Sequence, residues 1–249
     1  MATANIAEVF SSIQGEGMLV GERQVFVRFS GCNLRCSYCD SKWNWERHED
    51  CRIERIPGSS SFVFVRNPLD ACRLVSIVSD LRGRENLHHS ICFTGGEPLL
   101  QADFLAEFVP MTVRLFPMTY LETNGTLPDE LSKVIDRIDI VSMDIKIHST
   151  CGAEPDIEAH RKFLLAAARK HVFVKAAVNA KTTAHEITEV ASLMASVDRG
   201  IPLVIQPAAV EDKSEQVTPV TLMRLQATAK EALDTVRIIP QTHKILGAL

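Results

Sequence analysis

Three cysteines lie close together near the start of the chain, at Cys32, Cys36 and Cys39. Clustered thiols in a reducing compartment bind metal or do chemistry more often than they form disulfides. Structural zinc sites and electron-carrying clusters normally use four protein ligands, so three thiolates leave one position of the metal open. An open position can bind a cofactor or a substrate. The triad therefore favours a catalytic iron–sulfur centre.

A zinc or iron–sulfur module that serves structure or electron transfer is the alternative for the same triad. Its fourth ligand would come from elsewhere in the chain, and His48, Cys51 and Cys92 are the candidates. Cys92 lies in an apolar run, where a cysteine behaves as a small hydrophobic side chain. We expect Cys51, Cys72, Cys92 and Cys151 not to be ligands, and metal analysis distinguishes the two kinds of centre.

The elements that must position these residues follow one pattern along the chain. Short apolar runs alternate with longer amphipathic segments, which is typical of parallel strands connected by helices. Strands are predicted over 24–28, 90–94, 118–122, 138–143, 172–178, 203–206 and 236–239. Helices are predicted over 69–81, 101–115, 157–170, 184–196 and 218–233. About six strand–helix units indicate an α/β fold that closes fully or partly into a barrel.

The residues with chemical potential follow the ends of successive predicted strands. Residues 32–40 come after the first strand, residues 95–98 after the second and residues 123–125 after the third. Active sites of parallel barrels gather at the carboxyl ends of the strands. We therefore expect these three segments to meet at one rim.

The length of 249 residues suits one domain spanning 1–249, because α/β barrels reach this size without dividing. The polar stretch 44–68 contains Pro57, Gly58 and three serines, and it interrupts the alternation. We predict an inserted loop or a small excursion there.

Charge and hydropathy exclude several classes of partner. The formal net charge is -4 and the chain has no Lys/Arg-rich run, so we expect no nucleic-acid partner and favour a small-molecule substrate. The amino terminus lacks a basic stretch followed by an apolar run, and no apolar window approaches about 18 residues. We expect no membrane partner and a cytoplasmic location.

The triad spacing Cys-x3-Cys-x2-Cys, with Tyr38 before the last cysteine, resembles the signature of the radical S-adenosylmethionine (SAM) superfamily. Residues 94–98 read Thr-Gly-Gly-Glu-Pro and are similar to the GGEP motif of that superfamily. The resemblance implies a partial or modified (β/α)6 barrel and a [4Fe–4S] cluster whose unique iron binds SAM. It also implies a 5′-deoxyadenosyl radical that abstracts hydrogen from the substrate.

Three further segments resemble the 7-carboxy-7-deazaguanine synthase family: Ser-Ile-Gln-Gly-Glu-Gly at 12–17, Glu-Thr-Asn-Gly at 122–125 and Pro-Gln-Thr-His-Lys at 240–244. The resemblance covers nearly the whole chain. It implies a Mg²⁺-dependent ring contraction of 6-carboxy-5,6,7,8-tetrahydropterin to 7-carboxy-7-deazaguanine, with loss of ammonia, on the route to queuosine. It also implies a homodimer and an external electron donor of the flavodoxin or ferredoxin kind. A glycyl-radical-enzyme activating enzyme, whose partner is a protein, is the rival with the same triad.

The resemblance also implies roles for individual residues. Residues expected to contact SAM are Tyr38, Asp40, Gly95, Gly96, Glu97, Asp144, Lys146 and Gln206. Residues expected to contact the substrate are Ile13, Gln14, Gly15, Glu16, Arg28, Thr94, His243 and Leu249, the last through its carboxylate. Ser41 stands where the family usually has a threonine that binds Mg²⁺. Asp144 departs from the Ser-x-Lys pattern of the family, and only Lys146 matches it.

The chemistry of the side chains agrees with the expected roles in substrate and Mg²⁺ binding. A carboxylated pterin presents ring N–H donors and an amide edge, which the carboxylate of Glu16 and the carboxamide of Gln14 can satisfy. It also carries a carboxylate that the planar guanidinium of Arg28 can bind in a bidentate manner. The hydroxyl of Ser41 is an oxygen ligand of the kind that Mg²⁺ prefers.

Overall fold

The fold is seen in a computed structural model that describes residues 2–84, 87–152, 154–209 and 216–248. Its strands are Thr3–Ala4 (β1), Ile6–Ile13 (β2), Arg23–Phe29 (β3), Asp50–Glu54 (β4), Phe62–Arg66 (β5), Leu69–Asp70 (β6), Ser90–Gly95 (β7), Thr119–Thr123 (β8), Ile140–Asp144 (β9), His171–Val178 (β10), Leu203–Pro207 (β11) and Val236–Ile238 (β12). Its α-helices are Ala71–Arg82 (α1), Ala102–Thr112 (α2), Pro128–Ser132 (α3), His148–Cys151 (α4), Ile157–Ala167 (α5), Ala184–Val197 (α6), Pro219–Lys230 (α7) and Thr242–Leu246 (α8).

A ten-stranded sheet organises the described residues, in the order β12-β11-β10-β9-β8-β7-β3-β2-β4-β5. All neighbours from β3 to β12 pair in parallel, and each crossover between them contains at least one helix. This confirms the α/β fold predicted from the alternation. The described sheet is open, since its order begins at β12 and ends at β5. The sheet is nevertheless curled. The contacts of the 3-10 turn Gly17–Leu19, which follows β2, with the distant strands β10 and β11 indicate this.

Helix boundaries follow local capping chemistry. Asp70 begins α1 by accepting a hydrogen bond from the backbone N–H of Arg73, and Thr183 begins α6 in a reciprocal capping box with Glu186. Such caps satisfy backbone donors that have no partner within the helix. The predicted helices therefore lie within a few residues of the observed ones.

The amino-terminal strand β2 escaped sequence-based prediction, and it runs antiparallel to β3. Its sequence Ile-Ala-Glu-Val-Phe-Ser-Ser-Ile does not alternate regularly between apolar and polar residues. In the structure Glu8 and Ser11 are buried together with the apolar residues. Since β2 is antiparallel, its carboxyl end lies beside the amino end of β3, where Ile13 pairs with Arg23. The turn at 14–17 thus begins at the end of the sheet opposite the cysteines.

The stretch 44–68 differs from the predicted loop. It contains β4 and β5, which pair antiparallel with each other, and β4 pairs in parallel with β2. Arg52 on β4 binds Glu8 on β2 and places its guanidinium 4.3 Å from the ring centroid of Phe62. The segment therefore extends the sheet at one edge.

Two apolar layers follow from the alternation of side chains along each strand. The larger one packs the strands against the surrounding helices and includes Val27, Phe93 and Leu121. The smaller one faces the inside of the curled sheet. It consists of Phe10, Phe26, Cys92, Tyr120, Ile140, Phe173 and Val204. This inner layer forms the base on which the functional residues stand.

Candidate active site

Polar side chains stand two residues further along the same strands as the inner apolar layer. Because side chains at i and i+2 share one face of a strand, they line the inside of the barrel above that layer. They are Arg28, Thr94, Glu122, Ser142, Lys175 and Gln206. One cavity contains them all, together with residues from the strand-end loops.

The three cysteines follow β3 and face this cavity together. The backbone N–H of Leu34 donates to Cys32 Sγ at 3.4 Å, and the Cys39 N–H donates to the Cys36 carbonyl at 3.2 Å. Burial raises the pKa of the Cys32 thiol above its usual value. Three thiols from one short loop, all lining one cavity, are a suitable donor set for a [4Fe–4S] cluster with one iron open to a cofactor.

A glycine turn after β7 packs against the cysteine loop. A Cβ atom on Gly95, whose φ is +133°, would lie 2.1 Å from the carbonyl oxygen of Phe29. A Cβ atom on Gly96 would lie 2.0 Å from the carbonyl oxygen of Gly31. Glycine is therefore required at both positions for the backbones to approach this closely. Both glycines line the cavity.

Glu97 is fully buried behind this turn and does not line the cavity. Its carboxylate accepts hydrogen bonds from the backbone N–H groups of Leu99 and Asn124 and from the hydroxyl of Thr123. Burial raises the pKa of Glu97 to about 7 despite these donors. The predicted contact between Glu97 and SAM is therefore corrected: the carboxylate joins the turns after β7 and β8.

The turn at 14–17 crosses the inside of the barrel and covers the floor of the cavity. Gln14 donates from Nε2 to Gln24 Oε1 at 2.9 Å and to Glu122 Oε1 at 3.0 Å. Thr94 donates its hydroxyl to the other oxygen of Glu122 at 2.7 Å. Glu122, quoted from the sequence only as part of a motif, is therefore the centre of a polar group with Gln14 and Thr94.

Glu16 forms a buried ion pair with Lys175 of β10. Gln241 donates from Nε2 to the other oxygen of Glu16 at 2.5 Å. Burial alone would raise the pKa of Glu16, but the charge and hydrogen bond of Lys175 hold it well below its usual range. Glu16 is thus an ionised carboxylate at the side of the cavity.

The segment after β12 lies directly over this turn. The Thr242 N–H donates to the Gly15 carbonyl at 2.9 Å, and a Cβ atom on Gly15 would lie 2.3 Å from Nδ1 of His243. His243 and Gln241 line the cavity as a result. The predicted Leu249 carboxylate lies outside the described residues.

Arg28 lines the cavity, and a buried carboxylate orients it. Its Nε donates to Glu8 Oε1 at 2.8 Å, and the other oxygen of Glu8 accepts from Arg52 Nε at 3.0 Å. Arg28 also lies 5.6 Å from the ring centroid of Phe10. The guanidinium is therefore held on both an ionic and an aromatic partner.

A chain of charged groups connects β9 with the cysteine loop. Lys146 Nζ donates to Asp144 Oδ2 and to the Tyr38 hydroxyl, both at 2.7 Å. Three buried oxygens of cavity-lining residues have no hydrogen-bond partner among the described residues: Ser142 Oγ, Asp144 Oδ1 and Gln206 Oε1. Buried polar atoms are rarely left unpaired, so these oxygens indicate a polar ligand.

Ser41 lies at the mouth of the cavity and donates to Asp40 Oδ1 at 3.0 Å. One ligand atom each of Glu16, Asp40 and His243 lie within 4.8 Å of one another. Gln241 and Lys244 also contact Asp40. Oxygen and imidazole ligands at this spacing could hold a cation.

The cavity brings together the predicted residues that are described, except Glu97. It also contains residues that sequence reasoning assigned no role, of which the polar ones are Glu122, Thr123, Asn124, Ser142, Lys175 and Gln241. Strand alternation could have found Glu122 and Lys175. The candidates for a fourth zinc ligand, Cys51, Cys92 and His48, do not line it.

Comparison with known proteins identifies the family. Residues 26–151 match the model of the Radical SAM superfamily. A 7-carboxy-7-deazaguanine synthase from Geobacter sulfurreducens is 45% identical over 247 residues, covering 99% of this chain and 98% of the relative. The chain belongs to the 7-carboxy-7-deazaguanine synthase family. This membership confirms the predicted family and implies a [4Fe–4S] cluster and SAM as cofactors.

Other members of the 7-carboxy-7-deazaguanine synthase family and solved structures agree. The enzyme of that name from Methanothermobacter thermautotrophicus is 37% identical, covering 98% of this chain and 97% of its own length. The crystal structure of QueE from Escherichia coli superimposes with a TM-score of 0.62 at 20% identity, covering 96% of this chain and 94% of that one. It shows the fold alone and supports the partial barrel. No helix among the described residues is both long and apolar enough to cross a membrane.

Proposed function

We propose that the chain converts 6-carboxy-5,6,7,8-tetrahydropterin to 7-carboxy-7-deazaguanine, with loss of ammonia, as a step in deazapurine and queuosine biosynthesis. One observation carries the proposal beyond family membership. A single cavity is lined by the three thiols, by the polar group of Glu122, Gln14 and Thr94, and by Arg28. A radical generated at the thiols would therefore meet a ligand held by these polar residues.

We assign cofactor binding to the cysteine loop and to the charged groups of Asp144 and Lys146 beside it. Cys32, Cys36 and Cys39 would hold the cluster. When bound, the cluster and SAM supply a 5′-deoxyadenosyl radical. Gly95 and Gly96 permit close approach of backbone to SAM, and the unpaired oxygens of Asp144 and Gln206 would accept hydrogen bonds from it.

Substrate recognition rests on polar complementarity. Arg28, oriented by Glu8, would bind the substrate carboxylate. The carboxylate of Glu122 and the carboxamide oxygen of Gln14 would accept hydrogen bonds from the amide edge and ring N–H groups of the pterin. His243, above Gly15, would hold or transfer a proton at a substrate nitrogen, because an imidazole side chain can both donate and accept a proton.

A Mg²⁺ ion would bind near Ser41 at the mouth of the cavity. The Ser41 hydroxyl and the carboxylate of Asp40 are hard oxygen ligands, and Glu16 and His243 are close by. The ion would orient the substrate carboxylate. The Ser41→Ala variant is expected to lose Mg²⁺ stimulation of turnover, whereas Ser41→Thr keeps it, and equal Mg²⁺ dependence in both would contradict the assignment.

Anaerobic turnover tests the function directly. The protein is incubated with SAM, Mg²⁺, reductant and 6-carboxytetrahydropterin, and mass spectrometry follows the deazapurine. Cys36→Ala should lose iron and product, while Cys72→Ala, on the exposed end of α1, retains both. A protein that binds about four irons and SAM but forms no deazapurine would contradict the substrate assignment.

The remaining features follow from the same proposal. An external electron donor of the flavodoxin or ferredoxin kind would reduce the cluster, and the enzyme would act in the cytoplasm as a homodimer. Residues 1–249 would form one radical SAM domain, with the β4–β5 hairpin as an edge addition. Size-exclusion chromatography with light scattering tests the dimer.

A further inference from the structure

A second thiol lies against one of the three candidate cluster ligands. Cys36 Sγ is 3.2 Å from Cys151 Sγ, although the two residues are 115 positions apart in the chain. Both side chains are buried, and neither belongs to a disulfide. Cys151 ends α4, and it does not line the cavity. It therefore contacts Cys36 from behind, on the side away from the cofactor.

The fold holds this contact in place from both sides. The Ser37 hydroxyl, next to Cys36, donates to the Thr150 carbonyl at 2.5 Å. Thr150, next to Cys151, places its own hydroxyl 3.3 Å from the Ala177 carbonyl of β10. The Cys151 N–H donates to the Ile147 carbonyl at 2.9 Å. The cysteine loop and α4 are thus joined by two adjacent contacts, and α4 is joined to the barrel wall.

When iron is bound, the negative charge of the Cys36 thiolate sets the direction of the hydrogen bond between Cys36 and Cys151. A cysteine that binds iron does so as a thiolate, which has no proton and can only accept a hydrogen bond. Cys151 lies outside the cavity, where no iron replaces its proton, so it keeps its S–H. A thiol S–H is a weak hydrogen-bond donor. The direction of the hydrogen bond is therefore from Cys151 to Cys36.

We propose that Cys151 is a positioning residue whose thiol donates a hydrogen bond to the Cys36 thiolate and raises the reduction potential of the cluster. Reduction adds negative charge that is shared by the ligand sulfurs. A donor aimed at one sulfur stabilises the reduced state more than the oxidised state. The inference rests on the proposed function, because it takes Cys36 as an iron ligand.

The test is a redox titration of the reconstituted protein, followed anaerobically by the spectrum of the cluster. We compare wild type with Cys151→Ala and Cys151→Val, which remove the donor, and with Cys151→Ser, which keeps an O–H. Cys72→Ala is the control. The midpoint potential should become more negative in Cys151→Ala and Cys151→Val, remain closer to wild type in Cys151→Ser, and not change in Cys72→Ala.

Iron and sulfide analysis separates the two possible failures. If wild type and Cys72→Ala do not bind about four irons per chain, the proposed function is wrong. If they do, and any donor-free variant that holds its cluster has the wild-type potential, the role of Cys151 is overturned. An equal shift in Cys151→Ser and Cys151→Val also overturns it, because the shift would then reflect packing. If neither donor-free variant holds iron while Cys151→Ser does at wild-type potential, the donor role is supported.

Discussion

Lys175 is a buried cation that two carboxylates stabilise. It lies inside the barrel on β10, almost entirely buried, between Glu16 and the carboxylate of Asp144 at 3.9 Å. Burial alone would lower its pKa, but these carboxylates raise it, so the ammonium stays charged. Removal of one member of such a pair leaves an uncompensated buried charge.

Lys175→Met should therefore destabilise the protein by about 3–5 kcal/mol, as expected for a broken buried ion pair. Urea denaturation at neutral pH measures the loss. The double variant Lys175→Met/Glu16→Gln should lose less than the single variant, because no charge remains without a partner. Lys230→Met, on the exposed end of α7, is the matched control. Equal losses for Lys175→Met and Lys230→Met would contradict the ion-pair interpretation.

His88 is a second buried group with a shifted pKa. Burial lowers its pKa to about 4, and the nearby charge of Arg23 acts in the same direction. Its Nδ1 lies 3.2 Å from the Arg82 carbonyl and its Nε2 lies 2.8 Å from the Ser11 hydroxyl. The Arg82 carbonyl can only accept a hydrogen bond, so Nδ1 donates to it. The lowered pKa keeps the ring neutral at pH 7, and Nε2 then accepts a hydrogen bond from the Ser11 hydroxyl.

Acid should weaken the fold through His88. Because the folded pKa lies below the usual value of 6.5, the unfolded chain binds the proton first, and stability falls as pH decreases from about 6.5 to 4. We expect a loss of about 1–2 kcal/mol, less than the full shift would give, because His88 borders a cavity and is not enclosed on all sides. Urea denaturation at pH 7 and pH 5 should show a smaller pH effect in His88→Gln than in wild type. The exposed His185→Gln should behave as wild type, and an unchanged pH effect in His88→Gln would count against this role.

At the scale of elements, side-chain caps fix where helices begin and how they contact their neighbours. The capping box of α6 is the clearest case, because Thr183 accepts from the Glu186 N–H and Glu186 accepts from the Thr183 N–H. Glu186 also accepts from the Ser149 N–H at 2.7 Å. The cap therefore connects α6 with α4, the helix that carries Cys151.

Loss of this cap should cost about 1 kcal/mol, because one donor at the start of α6 becomes unsatisfied. Thr183→Ala should lower the free energy of unfolding by that amount, while Thr183→Ser, which retains the hydroxyl, stays near wild type. Thermal and urea denaturation measure both. A loss in Thr183→Ser as large as in Thr183→Ala would show that the methyl group, not the cap, matters.

At the scale of the whole molecule, two segments far apart in the sequence meet in the active site. The turn at 14–17 covers the floor of the cavity, and residues 241–243 lie against it through the Thr242–Gly15 and Gln241–Glu16 hydrogen bonds. Gly17 contacts Phe173, on the opposite wall. These contacts join the turn after β2 to the segment after β12 and to β10.

Gly15→Ala should displace the segment at 241–243, because the new methyl group would collide with His243. The expected cost is about 1–3 kcal/mol in stability, typical of overpacking, with a raised KM for the pterin and a smaller change in kcat. Unfolding and steady-state assays measure the two effects. Gly200→Ala, beside the exposed side chain of Asp198, is the control. An unchanged KM in Gly15→Ala would place His243 outside substrate binding.

The sequence by itself determined the thiol triad, the glycine turn and the strand–helix alternation. Each depends on spacing within one short segment: three thiols within eight residues, two glycines where backbones touch, and periodicities of two and 3.6. The predicted parallel strands from 24–28 to 236–239 therefore match β3 and β7 to β12 closely. Most of the residues that line the cavity were also candidate site residues from the family motifs.

Only the tertiary structure decided which side chains face each other across the barrel. Glu97 turns away from the cavity because three donors on neighbouring turns reach its carboxylate. The stretch 44–68 becomes a hairpin because the edge of β2 offers unpaired backbone groups to β4. Lys175 meets Glu16 only because β2 runs antiparallel and brings its turn beneath β10. The Lys175–Glu16 contact joins residues 159 positions apart and the Gln241–Glu16 contact residues 225 positions apart. Local sequence has no signal for such contacts, because they depend on strand direction and sheet closure.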